Sequence, residues 1–306
     1  MKRHSPSVFE LNQLVTEQPN RASSDLDTKS ALEIAQIINA EDRKVAEAVG
    51  RAVPQIGRVM AMVRDALRDG GRLIYVGAGT SGRIGALDAI ECPPTFNVAS
   101  RMVQYVISGG TRALGSAAEA SEDSQASGRR DIAKRKPGPR DVVIGIAASG
   151  RTPYTLAAIE YARRKGARTA AIVCTPGSPL EAAADVSIVV EVGPEVVTGS
   201  TRMKAGTAQK LICNAITTGA MAGLGYVYGN FMVNVHLKNN KLAERGISIL
   251  QQTAGVGRDE ARRALQASGR SVQVALVMLK AGVSRKQAQQ RLKATHGNVR
   301  QAIEAV

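Results

Sequence analysis

From Ser30 to about Gly70 the apolar residues recur at helical spacing, in two amphipathic stretches, Ala31 to Ile38 and Arg43 to Leu67. The first opens with Ser30-Ala-Leu-Glu33, a capping box in which the Ser and Glu side chains satisfy the first free N–H groups of a helix. Pro54 predicts a kink or division in the second stretch, and Asp69-Gly70-Gly71 ends it. Beyond Gly71 the pattern changes to short apolar runs, Arg72 to Val76, Met102 to Ile107, Asp141 to Ile146, Arg168 to Val173 and Val186 to Val190. Helical patterns over Arg83 to Ile90, Gly115 to Arg130 and Pro153 to Lys165 lie between them. Strands alternating with helices predict right-handed crossovers and a parallel sheet, whose functional groups lie beyond the strand carboxyl ends.

A long helix is predicted from near Ser200 toward Met221, with Thr198-Gly-Ser-Thr201 as its polar start. From about Gly255 the texture becomes short helices, Asp259 to Gln266, Val272 to Lys280, Arg285 to Thr295 and Val299 to Ala305, with Ser284-Arg-Lys-Gln287 a second capping box. The expected organisation is an N-terminal helical segment over 1–54, an α/β domain over 55–250 and a helical tail over 251–306.

Composition narrows the function. The formal charge of +15 is compatible with anionic ligands or nucleic acid and does not choose between them. Ten basic and three acidic residues follow Gln251, so the tail carries seven of those charges, as a solvated helical surface would. Only 3% of residues are aromatic and Trp is absent, which leaves little to stack on bases, so nucleic acid is not an expected partner. Cys92, Cys174 and Cys213 suit neither a zinc site nor a disulfide framework, and no apolar signal segment follows Met1-Lys-Arg-His4, so a cytoplasmic protein with reduced thiols is expected. Between Lys210 and Lys238 no residue is charged, but Asn214, Thr217, Thr218, Asn230, Asn234 and His236 interrupt the run, which therefore predicts a buried helix and a turn and no membrane span.

Two strands run straight into glycine-bearing loops, Gly77-Ala-Gly-Thr-Ser-Gly-Arg83 and Ala147-Ala-Ser-Gly-Arg-Thr152. Such a turn aims backbone N–H groups, a helix N-terminus and hydroxyls at one spot, which suits a phosphate. The first loop also fits the dinucleotide pattern G-x-G-x-x-G. That fold places an acid at the end of the next strand, where this chain has Ser108-Gly109-Gly110, and one dinucleotide has no use for the second loop. Thr80, Ser81, Ser149 and Thr152 are therefore candidate phosphate and sugar ligands, with helix capping as the ordinary alternative for any one of them.

Glu91 precedes Cys92-Pro93-Pro94, which predicts that its helix stops there and holds the carboxylate on a rigid turn. Glu119 and Glu122 fall three apart on the helix predicted over Gly115 to Arg130, and spacing does not choose between them. His4, His236 and His296 have no metal-ligand spacing, so no metal is expected, and no G-x-S-x-G elbow is present for acyl chemistry.

The strings Gly77-Ala-Gly-Thr-Ser-Gly-Arg83, Glu91-Cys-Pro-Pro-Thr95, Gly145-Ile-Ala-Ala-Ser-Gly-Arg-Thr-Pro-Tyr154 and Glu195-Val-Val-Thr-Gly-Ser-Thr-Arg-Met-Lys-Ala-Gly-Thr-Ala-Gln-Lys210 together resemble the N-acetylmuramic acid 6-phosphate etherases, from about Thr16 to the helical tail. The resemblance implies a sugar isomerase (SIS) domain, a flavodoxin-like parallel sheet flanked by helices, with N-terminal helices and a small ubiquitin-associated (UBA)-like bundle. It implies a cytoplasmic homodimer of peptidoglycan recycling that needs no cofactor. The implied reaction is cleavage of the lactyl ether of N-acetylmuramic acid 6-phosphate to N-acetylglucosamine 6-phosphate and D-lactate by elimination and hydration. Glu91 matches the family's proton donor and Glu122 its second catalytic glutamate. Thr80, Ser81, Gly82, Ser149, Gly150 and Thr152 would hold the phosphorylated amino sugar, with Ser200 lining the same cavity.

Around Gly229 to Asn240 the chain departs from the family pattern, with Asn234 where Asp is usual and Lys238 where Thr is usual, which bears on sugar selectivity. A sugar-phosphate-sensing regulator and an aldose–ketose isomerase are the rival functions. The first lacks a helix-turn-helix segment ahead of the sheet, and the second would share the proton abstraction but release no lactate.

Overall fold

The computed structural model describes residues 14–116, 121–235, 237 and 240–305. The chain divides into two compact units, Met1–Ala89 with Val103–Ile216, and Ile90–Met102 with Thr217–Val306.

In the first unit, three short 3-10 turns, Val15–Glu17, Arg21–Ser23 and Leu26–Thr28, precede helices α1 (Ala31–Arg51) and α2 (Val53–Arg68). The Ser30–Glu33 capping box forms as expected. The two helices part at Ala52, two residues before Pro54, whose missing N–H is harmless in the first turn of α2. Val45, Ile56, Val59 and Val63 face inward at helical spacing.

Five strands follow: β1 (Leu73–Gly77), β2 (Val103–Ile107), β3 (Val142–Ile146), β4 (Arg168–Val173) and β5 (Val186–Val189). Every pairing is parallel, in the order β2-β1-β3-β4-β5. Each strand lies within a residue of its predicted bounds, and the apolar runs of β1, β3 and β4 read almost without alternation because they are covered on both faces. β1 and β3 are buried throughout. Gly77 at the end of β1 is in register with Ile107 on one side and Ile146 on the other, so the chain reverses its direction of winding between β1 and β3. Ligands of doubly wound sheets bind at such a switch point.

The helices of this sheet are α3 (Gly79–Phe96), α4 (Gln125–Ala133), α5 (Pro153–Arg164), the short α6 (Pro179–Ala183) and α7 (Lys204–Gly223). Where sequence spacing predicts a helix start near Ser200, α7 begins at Lys204, because the Glu195 carboxylate accepts the N–H groups of Lys204 (3.0 Å) and Ala205 (2.9 Å) and so defines the first turn. No helix among the described residues is long and apolar enough to cross a membrane.

The second unit holds a two-stranded hairpin, β6 (Val227–Tyr228) and β7 (Phe231–Met232), and helices α8 (Asn240–Ala254), α9 (Arg258–Ala267), α10 (Val272–Ala281), α11 (Arg285–Ala294) and α12 (Val299–Glu304). Leu250, Ala275, Leu276, Val277, Ala288, Val299 and Ala302 are among the residues of its own apolar core. The Ser284–Gln287 capping box starts α11 as expected. Asn234, one of the two departures from the family pattern, donates from Nδ2 to the Phe96 carbonyl at 2.6 Å. The other, Lys238, lies outside the described residues, as do His4, Glu119 and His236.

Candidate functional site at the sheet's switch point

The loops that leave β1 and β3 emerge side by side and enclose one cavity of about 460 Å³. Thr80, Ser81, Ser149, Thr152 and Glu122 line it, together with Glu17, Arg83, Gly199 and Thr201. Sequence analysis nominated the first five.

The first loop is almost no loop at all, since α3 begins at Gly79, two residues past Gly77. This tight turn requires glycine at both ends of its contact: a Cβ on Gly82 would lie 2.6 Å from Ile107 Cγ1 and 2.8 Å from the Gly77 oxygen. The close approach aims the free N–H groups of the first turn of α3 at the cavity, where the helix dipole favours an anion. Gly82 thus shapes the site from behind and does not line it.

The second loop is braced from its far side. Gly150, at φ +64°, donates its N–H to the Ala147 oxygen (3.0 Å) and accepts from Leu180 N–H (3.0 Å), and a Cβ there would fall 2.2 Å from Ser178 Oγ. Thr152 stands at the N-cap of α5 without making a side-chain capping bond, so helix capping does not account for its hydroxyl. Ser149 Oγ accepts from Arg151 N–H at 3.3 Å.

Glu122 sits in a turn ahead of α4, which corrects the expectation of a helix running from Gly115 to Arg130. Ser124 N-caps α4 by accepting from Ser127 N–H, and the helix starts only at Gln125. The turn is tied to the second loop's helix through Tyr154 N–H, which donates to the Glu122 oxygen at 3.0 Å. Tyr154 is itself fully buried, and its hydroxyl donates to Asp131 at 3.2 Å. The Glu122 carboxylate points at the first loop, with Oε1 3.0 Å from the position a Cβ on Gly79 would take.

Arg83 brings the cavity a cation whose Nε and Nη2 donate to the carbonyls of Ala113 and Ser116, both at 2.9 Å. It holds the segment that leads from β2 toward Glu122. Ser200 does not line the cavity, although its neighbours Gly199 and Thr201 do; its N–H donates to the Val197 oxygen instead.

Glu91 belongs to the second unit and is exposed there. The expectation of a helix stop is corrected: α3 runs through Pro93 and Pro94 to Phe96, so Glu91 is a helical residue and not a turn residue. Both prolines fall in the last turn, where few bonds remain to be lost, and Cys92 and Phe96, four residues apart on one face, are buried.

Glu17 was missed because nothing near it in sequence marks it. The turn that follows its own ties this segment to the distant chain, through Asn20 Nδ2 to the Pro194 oxygen (3.0 Å) and Ser23 Oγ to the Val196 oxygen (2.7 Å). The buried Glu41–Lys204 pair behind the same segment had no sequence signal either. Lys44 also donates to Glu41, and these bonds overcome the burial that would raise the Glu41 carboxyl and hold it at about 2. Glu195 goes the other way, its carboxyl pushed up by burial. Among the described residues no cluster of His, Cys, Asp and Glu could hold a metal ion.

The five-stranded parallel sheet with two hydroxyl-rich loops at its switch point is the part of the chain on which the matches to SIS domains fall. Residues 55–163 match the sequence model of the glucokinase regulatory protein N-terminal SIS domain and residues 134–219 that of the SIS domain. Three curated relatives, each named N-acetylmuramic acid 6-phosphate etherase, are close along nearly their whole length. The protein from Symbiobacterium thermophilum is 52% identical over 272 residues, covering 89% of this chain and 90% of its own. That from Klebsiella aerogenes is 48% identical over 295 residues (96% and 98%), and that from Photorhabdus laumondii 49% over 296 (97% and 98%). The chain belongs to the N-acetylmuramic acid 6-phosphate etherase family.

Proposed function

We propose that this protein is a carbon–oxygen lyase that cleaves the D-lactyl ether of N-acetylmuramic acid 6-phosphate, giving N-acetylglucosamine 6-phosphate and D-lactate in cytoplasmic cell-wall recycling. The observation that carries this reading is a single cavity in which Thr80, Ser81, Ser149 and Thr152 surround a glutamate, Glu122, in a chain of this family.

The phosphate binds to the N–H groups and hydroxyls of the loops after β1 and β3, a neutral cradle that suits an anion beside a helix N-terminus. Gly82 and Gly150 let the backbone come close enough to form it. In the ring-opened aldehyde, Glu122 takes the proton from C2, the electron pair forms the C2–C3 double bond, and the C3–O bond breaks. A proton passes to the departing lactate oxygen, the role that the family resemblance implies for Glu91, and water then adds across the double bond, so that substrate and one water become the two products. Proton transfers of this kind are worth about 10²–10⁴-fold each. No cofactor enters the balance, and a homodimer is the working form. The reading is tested by incubating the protein with N-acetylmuramic acid 6-phosphate and measuring D-lactate; an isomerase would give a rearranged sugar and no lactate.

A further inference from the structure

The cavity contains a second carboxylate that the proposed chemistry does not use. Glu17, half-buried, lines it from the N-terminal 3-10 turn, and its Oε2 lies 3.0 Å from where a Cβ on Gly199 would stand. The turn is anchored by Leu14 and Thr16, which are 7% and 2% exposed, and by the bonds of Asn20 and Ser23 to the chain at 194–196. Glu17 forms no ion pair among the described residues. The cation of the cavity, Arg83, already donates to two backbone carbonyls.

We infer that Glu17 is a specificity-determining residue that accepts a hydrogen bond from a hydroxyl or amide N–H of the bound amino sugar. A carboxylate facing a polar cavity repels a phosphate or a lactate group and binds neutral donors, for which a charge-assisted bond is short and strong. Glu17 therefore fixes which end of the ligand enters that side: the phosphate goes to the helix N-termini, and the hydroxyl and acetamido face turns toward residue 17. Gly199 leaves the carboxylate room, since any side chain there would press on it. The inference rests on the sugar-phosphate reading of the cavity.

Calorimetric titration of wild type, Glu17→Ala and Glu17→Gln with N-acetylglucosamine 6-phosphate and, separately, with inorganic phosphate tests it. Loss of a hydrogen bond to a charged group predicts that Glu17→Ala weakens the sugar phosphate about 10- to 100-fold. Glu17→Gln, which keeps an acceptor, should weaken it less, and inorganic phosphate should bind both variants as well as it binds wild type, or more tightly. Equal weakening of both ligands means that the 3-10 turn of Glu17 merely shapes the cavity and overturns the inference, as does unchanged affinity for the sugar phosphate. Wild type that binds inorganic phosphate but not the amino-sugar phosphate overturns the functional reading, and the role of Glu17 with it.

Discussion

The ammonium of Lys204, only 1% exposed, is bonded to the carboxylate of Glu41, 4% exposed and 163 positions earlier in the chain. Lys204 opens α7 three residues after Thr201, which lines the cavity with Gly199, while Glu195 holds the N–H of the same residue. One buried pair thus fixes the back of the site. Removing one partner leaves a buried charge, which costs about 3–5 kcal/mol. Lys44 still reaches Glu41, so Lys204→Met should fall near about 3 kcal/mol in urea unfolding, with Lys204→Met/Glu41→Leu less destabilised than the two single changes added together.

The same carboxylate makes stability depend on acid. Glu41 is held at about 2, below its ordinary 4.5, by Lys204 and Lys44 against the effect of burial. A depressed carboxyl stabilises the folded state above the unfolded pKa and loses that contribution as pH falls through the folded one, here about 3 kcal/mol lost between about pH 5 and 2. Glu195, pushed up, works in the opposite sense and offsets part of the loss. Denaturant midpoints of wild type and Glu41→Gln should therefore converge as pH drops across this window; a constant gap would show that Glu41 is not the titrating group.

Gly150→Ala should damage the second loop twice. Its φ of +64° strains an alanine by about 1–2 kcal/mol, and the new Cβ meets Ser178 Oγ at 2.2 Å. The expected result is a lowered Tm together with weaker sugar-phosphate binding. Adding Ser178→Gly should restore part of the binding by relieving the clash, while the strain remains.

The hydroxyls of the two loops should act on affinity. On the proposed reading Ser81→Ala and Ser149→Ala would each remove one donor to a charged phosphate, which predicts about a 10-fold rise in Kd for inorganic phosphate in each case, measured by calorimetry, with little change in Tm.

Much of the fold was legible because its determinants are local. The capping boxes at Ser30 and Ser284, the division that Pro54 predicts and the unbroken apolar runs of β1 and β3 depend on a few residues each, and the structure shows all of them, the division falling at Ala52. The two glycine-bearing loops also marked Thr80, Ser81, Ser149 and Thr152, four of the residues that the switch point brings to one cavity, and the family resemblance supplied a fifth, Glu122. What stayed hidden depends on distant partners. Glu17 lies just ahead of Asn20 and Ser23, whose bonds tie the segment to residues 194 and 196, α7 starts where Glu195 captures its N–H groups, and Glu122 is fixed by Tyr154. Pro93 and Pro94 misled because proline's cost depends on its place in the helix, and in a last turn held by Cys92 and Phe96 it is tolerated. The Val227–Met232 hairpin has two residues per strand, too few for a periodicity to register.

The most direct test of the account is D-lactate release from N-acetylmuramic acid 6-phosphate in ¹⁸O-labelled water, with wild type and Glu122→Gln side by side. Elimination followed by hydration predicts unlabelled lactate, one solvent oxygen on C3 of the N-acetylglucosamine 6-phosphate, and a rate about 10²–10⁴-fold lower for Glu122→Gln. Label in the lactate, full activity in Glu122→Gln, or no lactate from wild type would contradict it.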